Sequence, residues 1–390
     1  SCNKQGLESV LRLGNQRLSD FRDDDYLTNS YPLNVVFCPG CTLVQLENTT
    51  PRKFMYHERY GFKSGVNNTI REDLKSIVHE ALDWFPDVCT WLDIASNDGT
   101  LLSYVPEDAY RVGIDPVKKY CDEAEAHADT IINDYFSQHH FTPGEFDVVT
   151  SVSMFYDLDD PNEFVNGVKR VLADNGIWVI QQNYLLATLE LGAVDNVCHE
   201  HLTYFSLLAL EHLLNRHDLE VVDVSTSTVN GGSFRTVVAR KGQYAVRASV
   251  ADQRNLELDA AIDSIHPYRV FERRVRRNLA DLKALIVALN KQGKSVYIYG
   301  ASTRGGTIWQ AAGLTVEDLP FAVERNPEKV GKKIASIGVP IISEEQAREE
   351  HPDYMLVSPW FFRDEFVDRE SDYQDGGGQF IWPLPRLEVT

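Results

Sequence analysis

The chain has 390 residues, 43% hydrophobic and 25% charged, an ordinary globular composition too long for one core, so two or three domains are expected. Its 58 acidic against 38 basic residues give a net charge of −20, which repels a nucleic-acid backbone and points to small-molecule partners. No apolar run approaches the roughly 20 residues that span a bilayer, and no basic-then-apolar leader pattern opens the sequence, so a cytoplasmic protein, monomeric or weakly self-associating, is expected.

Residues 1 to about 50 read as a small β-rich or irregular unit containing the run LNVVFCPGCTLVQL. Cys38 and Cys41 form a C-x-x-C around a Pro-Gly tip, and with Cys2 upstream they offer thiolates suited to a structural zinc, with His57 a distant candidate for a further ligand. From about Asn67 to Trp84, Ile70, Leu74, Ile77, Val78, Ala81 and Leu82 recur at three- and four-residue steps, a helix period. TWLDIA, YRVGID, FDVVTSV and GIWVIQQ are short apolar strands separated by helix-length segments, which implies a parallel sheet covered on both faces. A helix (LLALEHLLNRHD) and two strands (LEVVDVSTS, SFRTVVARKG) read as its antiparallel finish. Helical sequence from about Val250 to Lys291, one long helix or a pair, leads into a second alternating unit with strands KSVYIYG, LPFAVERN, YMLVSP and QFIWPLP. The expected fold is α/β throughout, in three parts: residues 1–66, a zinc-binding unit; 67–248, a Rossmann-like domain; and 249–390, a second Rossmann-like α/β domain.

The first strand ends in the turn Ala95-Ser96-Asn97-Asp98-Gly99. Ligands in such folds sit at the carboxyl ends of the strands. A dinucleotide would want Gly-x-Gly-x-x-Gly with free amides facing a pyrophosphate. This turn instead carries small residues with the acceptors Asp93, Asn97 and Asp98, which suit the sulfonium and α-ammonium of S-adenosylmethionine (SAM). Asp115, at the end of the next strand, is placed for the ribose hydroxyls, and Asp134 with Tyr135 for the adenine.

The phrase NVCHEHLTYFS holds His199, Glu200 and His201 in a row and admits a metal site, an acid–base site or a surface turn. Metal is disfavoured because no third ligand follows at a recognisable spacing. Two stretches could hold an anionic handle on an acceptor. One is NGGSFR, with Asn230 and Arg235; the other is YGASTRGGT, where Arg304 stands at a Gly-rich turn entering a helix.

In order, PLNVVFCPGCTLVQL, RYGFKSGVNNTI, LDIASNDGTLL, CHEHLTYFS, NGGSFRTVVA, YGASTRGGT, AVERNPEKVGK and GGGQFIWPLP resemble the sugar C-methyltransferase family over nearly the whole chain. That resemblance implies SAM-dependent methyl transfer to a carbon beside the ketone of a nucleotide-diphosphate sugar. It makes His201 the base, Glu200 its partner and His199 a structural or substrate-contacting residue. It also places Tyr60 and Ser64 over the methionine end of SAM, and Tyr156, Asp157 and Tyr204 beside the acceptor. The family's N-terminal cysteines come as a further C-x-x-C, whose other member would fall before Ser1. Cys198 stands where the family often has tyrosine, SVSMFYDL lacks a histidine that often follows the fourth strand, and Arg304 and Gly306 stand for lysine and asparagine. These departures leave O- or N-methylation of a related acceptor, or a SAM-binding scaffold without turnover, as the other expectations.

Overall fold

A computed structural model describes Cys2, residues 4–55 and residues 61–390, and its strands form three sheets. In the first, β1 (Glu8–Arg17) pairs antiparallel with β3 (Ser30–Phe37), and β3 with β4 (Val44–Leu46). Val10, Leu11, Leu33, Val35, Phe37, Val44 and Leu46 are buried there. The intervening β2 (Phe21–Arg22) leaves this sheet altogether.

Helix α1 (Asn68–Trp84) begins where the Asn67 side chain accepts from the amides of Thr69 and Ile70, and it buries Ile70, Leu74, Ile77, Val78 and Ala81. The central sheet then follows with β5 (Thr90–Ile94), β6 (Tyr110–Ile114), α2 (Lys118–Ala124), β7 (Thr130–Ile132), β8 (Phe146–Val152), α3 (Pro161–Val171) and β9 (Leu172–Asn183). After α4 (Leu185–Leu191), β10 (Thr203–Tyr204) and α5 (Leu207–Leu214) come β11 (Leu219–Ser227) and β12 (Ser233–Arg240). The order is β11-β12-β9-β8-β5-β6-β7, parallel from β9 to β7 and antiparallel at β11 and β12. Because β5 lies between β8 and β6, the chain direction reverses across its carboxyl end, which opens a crevice there. The three-residue β7 is too short to show a period, so it does not stand out in the sequence.

The helical region resolves into two helices, α6 (Ala248–Asp259) and α7 (His266–Lys291). The last sheet is built from β13 (Val296–Tyr299), β14 (Ala322–Glu324), β15 (Lys333–Ile334), β16 (Val339–Ser343), β17 (Tyr354–Val357), β18 (Gln379–Trp382) and β19 (Glu388–Val389), with α8 (Gly305–Ala311) after β13. Its far edge is β2, paired antiparallel with β15. In return β10 pairs with β4 in the first sheet. We propose the division at residues 66 and 248 as one into three units that exchange strands.

Two buried groups tie the central unit together. Arg235 was expected to meet the acceptor, but its guanidinium is consumed inside the fold. It donates to Glu80 (2.6 Å), Asp73 (3.2 Å), Ser76 (2.9 Å) and Gln181 (2.9 Å), fixing α1 to β9 and β12. Four of its five N–H groups are used, two of them on carboxylates, and the side chain is buried, which leaves it poorly placed to hold a phosphate. Glu257, fully buried on α6, accepts from the amides of Leu207 (2.6 Å) and Leu208 (2.9 Å) and from the Tyr184 hydroxyl (2.8 Å). It thereby satisfies the free amides at the start of α5.

Removing one partner of a buried, hydrogen-bonded ion pair costs about 3–5 kcal/mol. Arg235→Ala is therefore expected to lower unfolding stability by about that much in a urea titration. A loss under about 1 kcal/mol would mean that the cluster is not the clamp described.

Candidate functional site

A cavity of about 740 Å³ opens at the carboxyl ends of β5, β6 and β8, lined among others by Ser64, Ala95, Asn97, Asp115, Asp134, Tyr135, Ser153 and Asp157. That volume is ordinary for a small-molecule or cofactor site. The backbone itself makes the room. Ala95 (φ 61°) and Asn97 (φ 48°) are left-handed without being glycine, a conformation that is held only where the surroundings enforce it. Gly99 has no such choice, since a Cβ there would lie 2.9 Å from the Ala124 Cα.

The acceptors are arranged by their own bonds. Asp115 takes the amides of Asn97 (3.0 Å) and Val117 (2.8 Å), which fixes its carboxylate at the cavity wall. Asn97 accepts from the Ser64 amide (3.0 Å) and Asp98 from the Gly65 amide (2.9 Å), so the segment after the first sheet is pinned onto the turn. Asp93 lies deeper and does not line the large cavity. Burial pushes its carboxyl up to about 7, opposed by the Thr150 hydroxyl that it accepts from at 2.7 Å. Asp134 accepts from the Tyr135 amide (2.7 Å), and the Tyr135 ring lies beneath the Arg52 guanidinium at 5.7 Å. Arg52 also pairs with Asp159 at 2.8 Å. No motif pointed to Arg52, because its partners are more than 80 residues away. Tyr60 and His57 lie outside the described residues.

In the His-Glu-His phrase both histidines are buried and Glu200 is half-buried, so it is not an exposed turn. His201 is 9% exposed, and its Nδ1 stands 2.8 Å from the Asn196 carbonyl oxygen. A carbonyl only accepts, so Nδ1 carries the proton and Nε2 keeps the lone pair. Burial, with the nearby Arg304 charge adding to it, holds this imidazole down at about 3, although the Asn196 carbonyl pulls the other way. The orienting partner expected for His201 was Glu200; the structure puts the Asn196 carbonyl in that place. Glu200 instead accepts a weak bond from the Cys198 thiol (3.8 Å), and burial raises its carboxyl to about 7. His199 turns away to Tyr31, its Nε2 3.2 Å from that residue's carbonyl, which ties the first sheet to the loop.

Of the residues expected beside the acceptor, the structure brings Tyr156 against His201. The Tyr156 ring meets the imidazole edge-on at 4.4 Å, and the neighbouring Asp157 lines the cavity at the strand ends. Tyr204 is buried, with its hydroxyl unpartnered among the described residues. His201 itself is not among the residues lining the large cavity. Arg304 is committed elsewhere: it donates to Asp195 (2.6 Å) and the Asn230 carbonyl (2.8 Å) and stacks on Phe361 at 4.6 Å. The helix after it, α8, has only seven residues, so the Gly-rich turn carries no argument for a phosphate site. Asn230 occupies a left-handed turn (φ 56°) and borders a cavity of about 30 Å³ beside Asp73 and Ser153.

In the first sheet the sulfurs of Cys2, Cys38 and Cys41 all lie within 4.8 Å of one another, with Cys2 and Cys38 at 3.5 Å. Two thiolates at about 2.3 Å on a tetrahedral zinc stand roughly 3.8 Å apart, so the set fits that ion. These three residues would hold it as three of the four ligands that a structural zinc takes.

Residues 1–56 match a family model described as a zinc binding domain, residues 66–224 a methyltransferase domain, and residues 228–385 a C-methyltransferase C-terminal domain. The chain is 30% identical over 371 residues to C-methyltransferase NovU of Streptomyces niveus, covering 92% of this chain and 87% of that protein. Among solved structures, PH0226 protein from Pyrococcus horikoshii OT3 matches with TM-score 0.38 at 15% identity, over 46% of this chain and 95% of that one. The plantazolicin methyltransferase BpumL in complex with SAH matches with TM-score 0.35 at 16% identity, over 43% and 82%.

Metal held by thiolates contributes directly to folding. Purified protein is expected to carry zinc by atomic emission. Cys38→Ser should lose that zinc and lower the melting temperature by several degrees; unchanged zinc content in the variant would remove Cys38 from the ligand set.

Proposed function

Since the chain belongs to the family of C-methyltransferase NovU and is a SAM-dependent methyltransferase, we propose that it methylates a carbon beside the ketone of a nucleotide-diphosphate sugar, with His201 as the base. The observation that carries this reading is the His201 tautomer, Nδ1–H on the Asn196 carbonyl with Nε2 left as a buried lone pair. SAM supplies an electrophilic methyl on a sulfonium. Because the donor is already activated, the protein's task is to make the acceptor carbon nucleophilic and to hold it in line. His201 Nε2 would take the α-proton, which leaves the carbon nucleophilic toward the methyl that SAM would supply. Tyr204 and Tyr156 are the hydroxyl groups proposed to face the enolate oxygen.

The substrate class rests on the sequence resemblance, and the carbon chemistry on the family. With Arg235 and Arg304 both committed inside the fold, the handle proposed for the diphosphate reduces to Asn230.

Glu200 supports a second reading. Its carboxyl lies near 7 while the His201 imidazole lies near 3. A base matched to neutral pH works best, which favours Glu200 as proton acceptor, with His201 as a neutral hydrogen-bonding group.

The test is isotope exchange with a panel of nucleotide sugars in D2O, first without SAM. Deuterium at a carbon beside the ketone is expected, as is its loss by about 10²–10⁴-fold in His201→Asn. Exchange that survives in His201→Asn but fails in Glu200→Gln would transfer the role to Glu200. No exchange in the native protein, with label from SAM later found on oxygen or nitrogen, would overturn the enolate route.

A further inference from the structure

We propose that Asp195 and Asn196 are positioning residues through which the C-terminal unit sets the tautomer and aim of the His201 ring. The inference rests on the reading of His201 as a group that needs a free Nε2.

Three consecutive residues in front of the His-Glu-His phrase are held from two sides. Asp195 is 0% exposed, and its Oδ2 accepts from Arg304 Nη2 (2.6 Å) and from Trp360 Nε1 (3.1 Å), both in the C-terminal unit. Val197 presents its carbonyl to the Thr307 hydroxyl (2.7 Å), again from that unit. Asn196, between them, is gripped by the methyltransferase unit. Its Oδ1 accepts from Asn183 Nδ2 (3.2 Å) at the end of β9, and its Nδ2 donates to Thr188 Oγ1 (2.8 Å) on α4. What remains of Asn196 is its carbonyl, and that carbonyl is the acceptor of the His201 Nδ1 proton.

A side chain could rotate away from His201, but a carbonyl whose own side chain is bonded at both Oδ1 and Nδ2 moves only with the backbone. Any shift of Arg304 or Trp360 acts on Asp195 and reaches the Asn196 carbonyl one peptide later. The ring also meets Tyr156 edge-on, and its own amide donates to the Cys198 carbonyl at 3.3 Å, so its other freedoms are already restricted. Arg304 from the C-terminal unit bears on its charge, Tyr156 from the turn after β8 touches the ring, and Cys198 and Glu200 are its titratable neighbours in its own loop. Arg304 is thus a staple between units and not a free anion donor.

The experiment reads the tautomer directly, without an acceptor. The full chain is labelled with 15N-histidine, and the His201 ring nitrogens, assigned by their loss in His201→Asn, are followed by long-range proton–nitrogen correlation from pH 6 to 8. Native protein is expected to show a neutral Nδ1–H ring throughout. Asp195→Asn, acting from one side, and Asn183→Ala, acting from the other, are each expected to convert a measurable fraction of the ring to the Nε2–H form or to bring its titration into that pH range. Melting curves accompany each variant. A native ring in the Nε2–H form overturns the proposal without any variant. So do Asp195→Asn and Asn183→Ala rings that match the native one, whatever exchange in D2O says of His201 as base. If the tautomer responds as expected while His201→Asn keeps full exchange, the positioning stands and the base assignment falls.

Discussion

The phrase from Asp195 to Leu208 runs largely buried through the protein, so most of its polar groups find their partners in the chain. Those partners come from all three units. Tyr31 of the first sheet meets His199, and the Leu46 amide donates to the Leu202 carbonyl at 2.8 Å. Thr307, Arg304 and Trp360 reach in from the C-terminal unit, and Glu257 on α6 closes the far end at Leu207 and Leu208. One loop is therefore the joint at which the three units are referenced to each other. A catalytic group placed there inherits a geometry that no single unit could supply.

Dryness also explains the electrostatics. Burial is the largest cause of the low His201 value, the high Glu200 and Asp93 values, and the raised thiol of Cys198. The stability consequences of His201 and Glu200 oppose one another. His201 in the folded state lies below a free imidazole, so its contribution is present above about 6.5 and is lost as the pH falls toward about 3. Glu200 lies above a free carboxylate, so its contribution is present below about 4.5 and is lost as the pH rises through about 7. Between those limits the two costs overlap, and the site trades some stability for a neutral imidazole beside a half-neutral acid.

Much of this was legible in the sequence where the signal is local. The period of α1, the apolar strands β5, β6, β8 and β9, and the acidic turn after β5 depend on neighbours along the chain, and the structure has them. The Cys2, Cys38 and Cys41 set needed one further step, and the sulfurs do converge. What the sequence did not disclose is where long-range charge goes. Arg235 reads as a free cation in NGGSFR because Asp73 and Glu80 lie more than 150 residues earlier, and Arg304 reads so because Asp195 is 109 residues away. The strand exchanges of β2 and β10 were hidden for a related reason: two residues carry no period, and their pairing is decided wholly by the partner.

The first unit gains meaning from the same viewpoint. A segment of about 50 residues cannot bury enough apolar surface to be stable alone, which is why such units are usually fastened by metal or by neighbours. This one has both means: a thiolate cluster at one end, and strands shared with each of the other units. Its chain then continues past Arg52, which pairs with Asp159 and covers Tyr135, to Ser64 and Gly65, whose amides dock on Asn97 and Asp98. Two walls of the cofactor cavity thus hang from a unit that chemistry alone would call remote. A structural zinc held by Cys2, Cys38 and Cys41 would bear on the cavity only through where those walls stand.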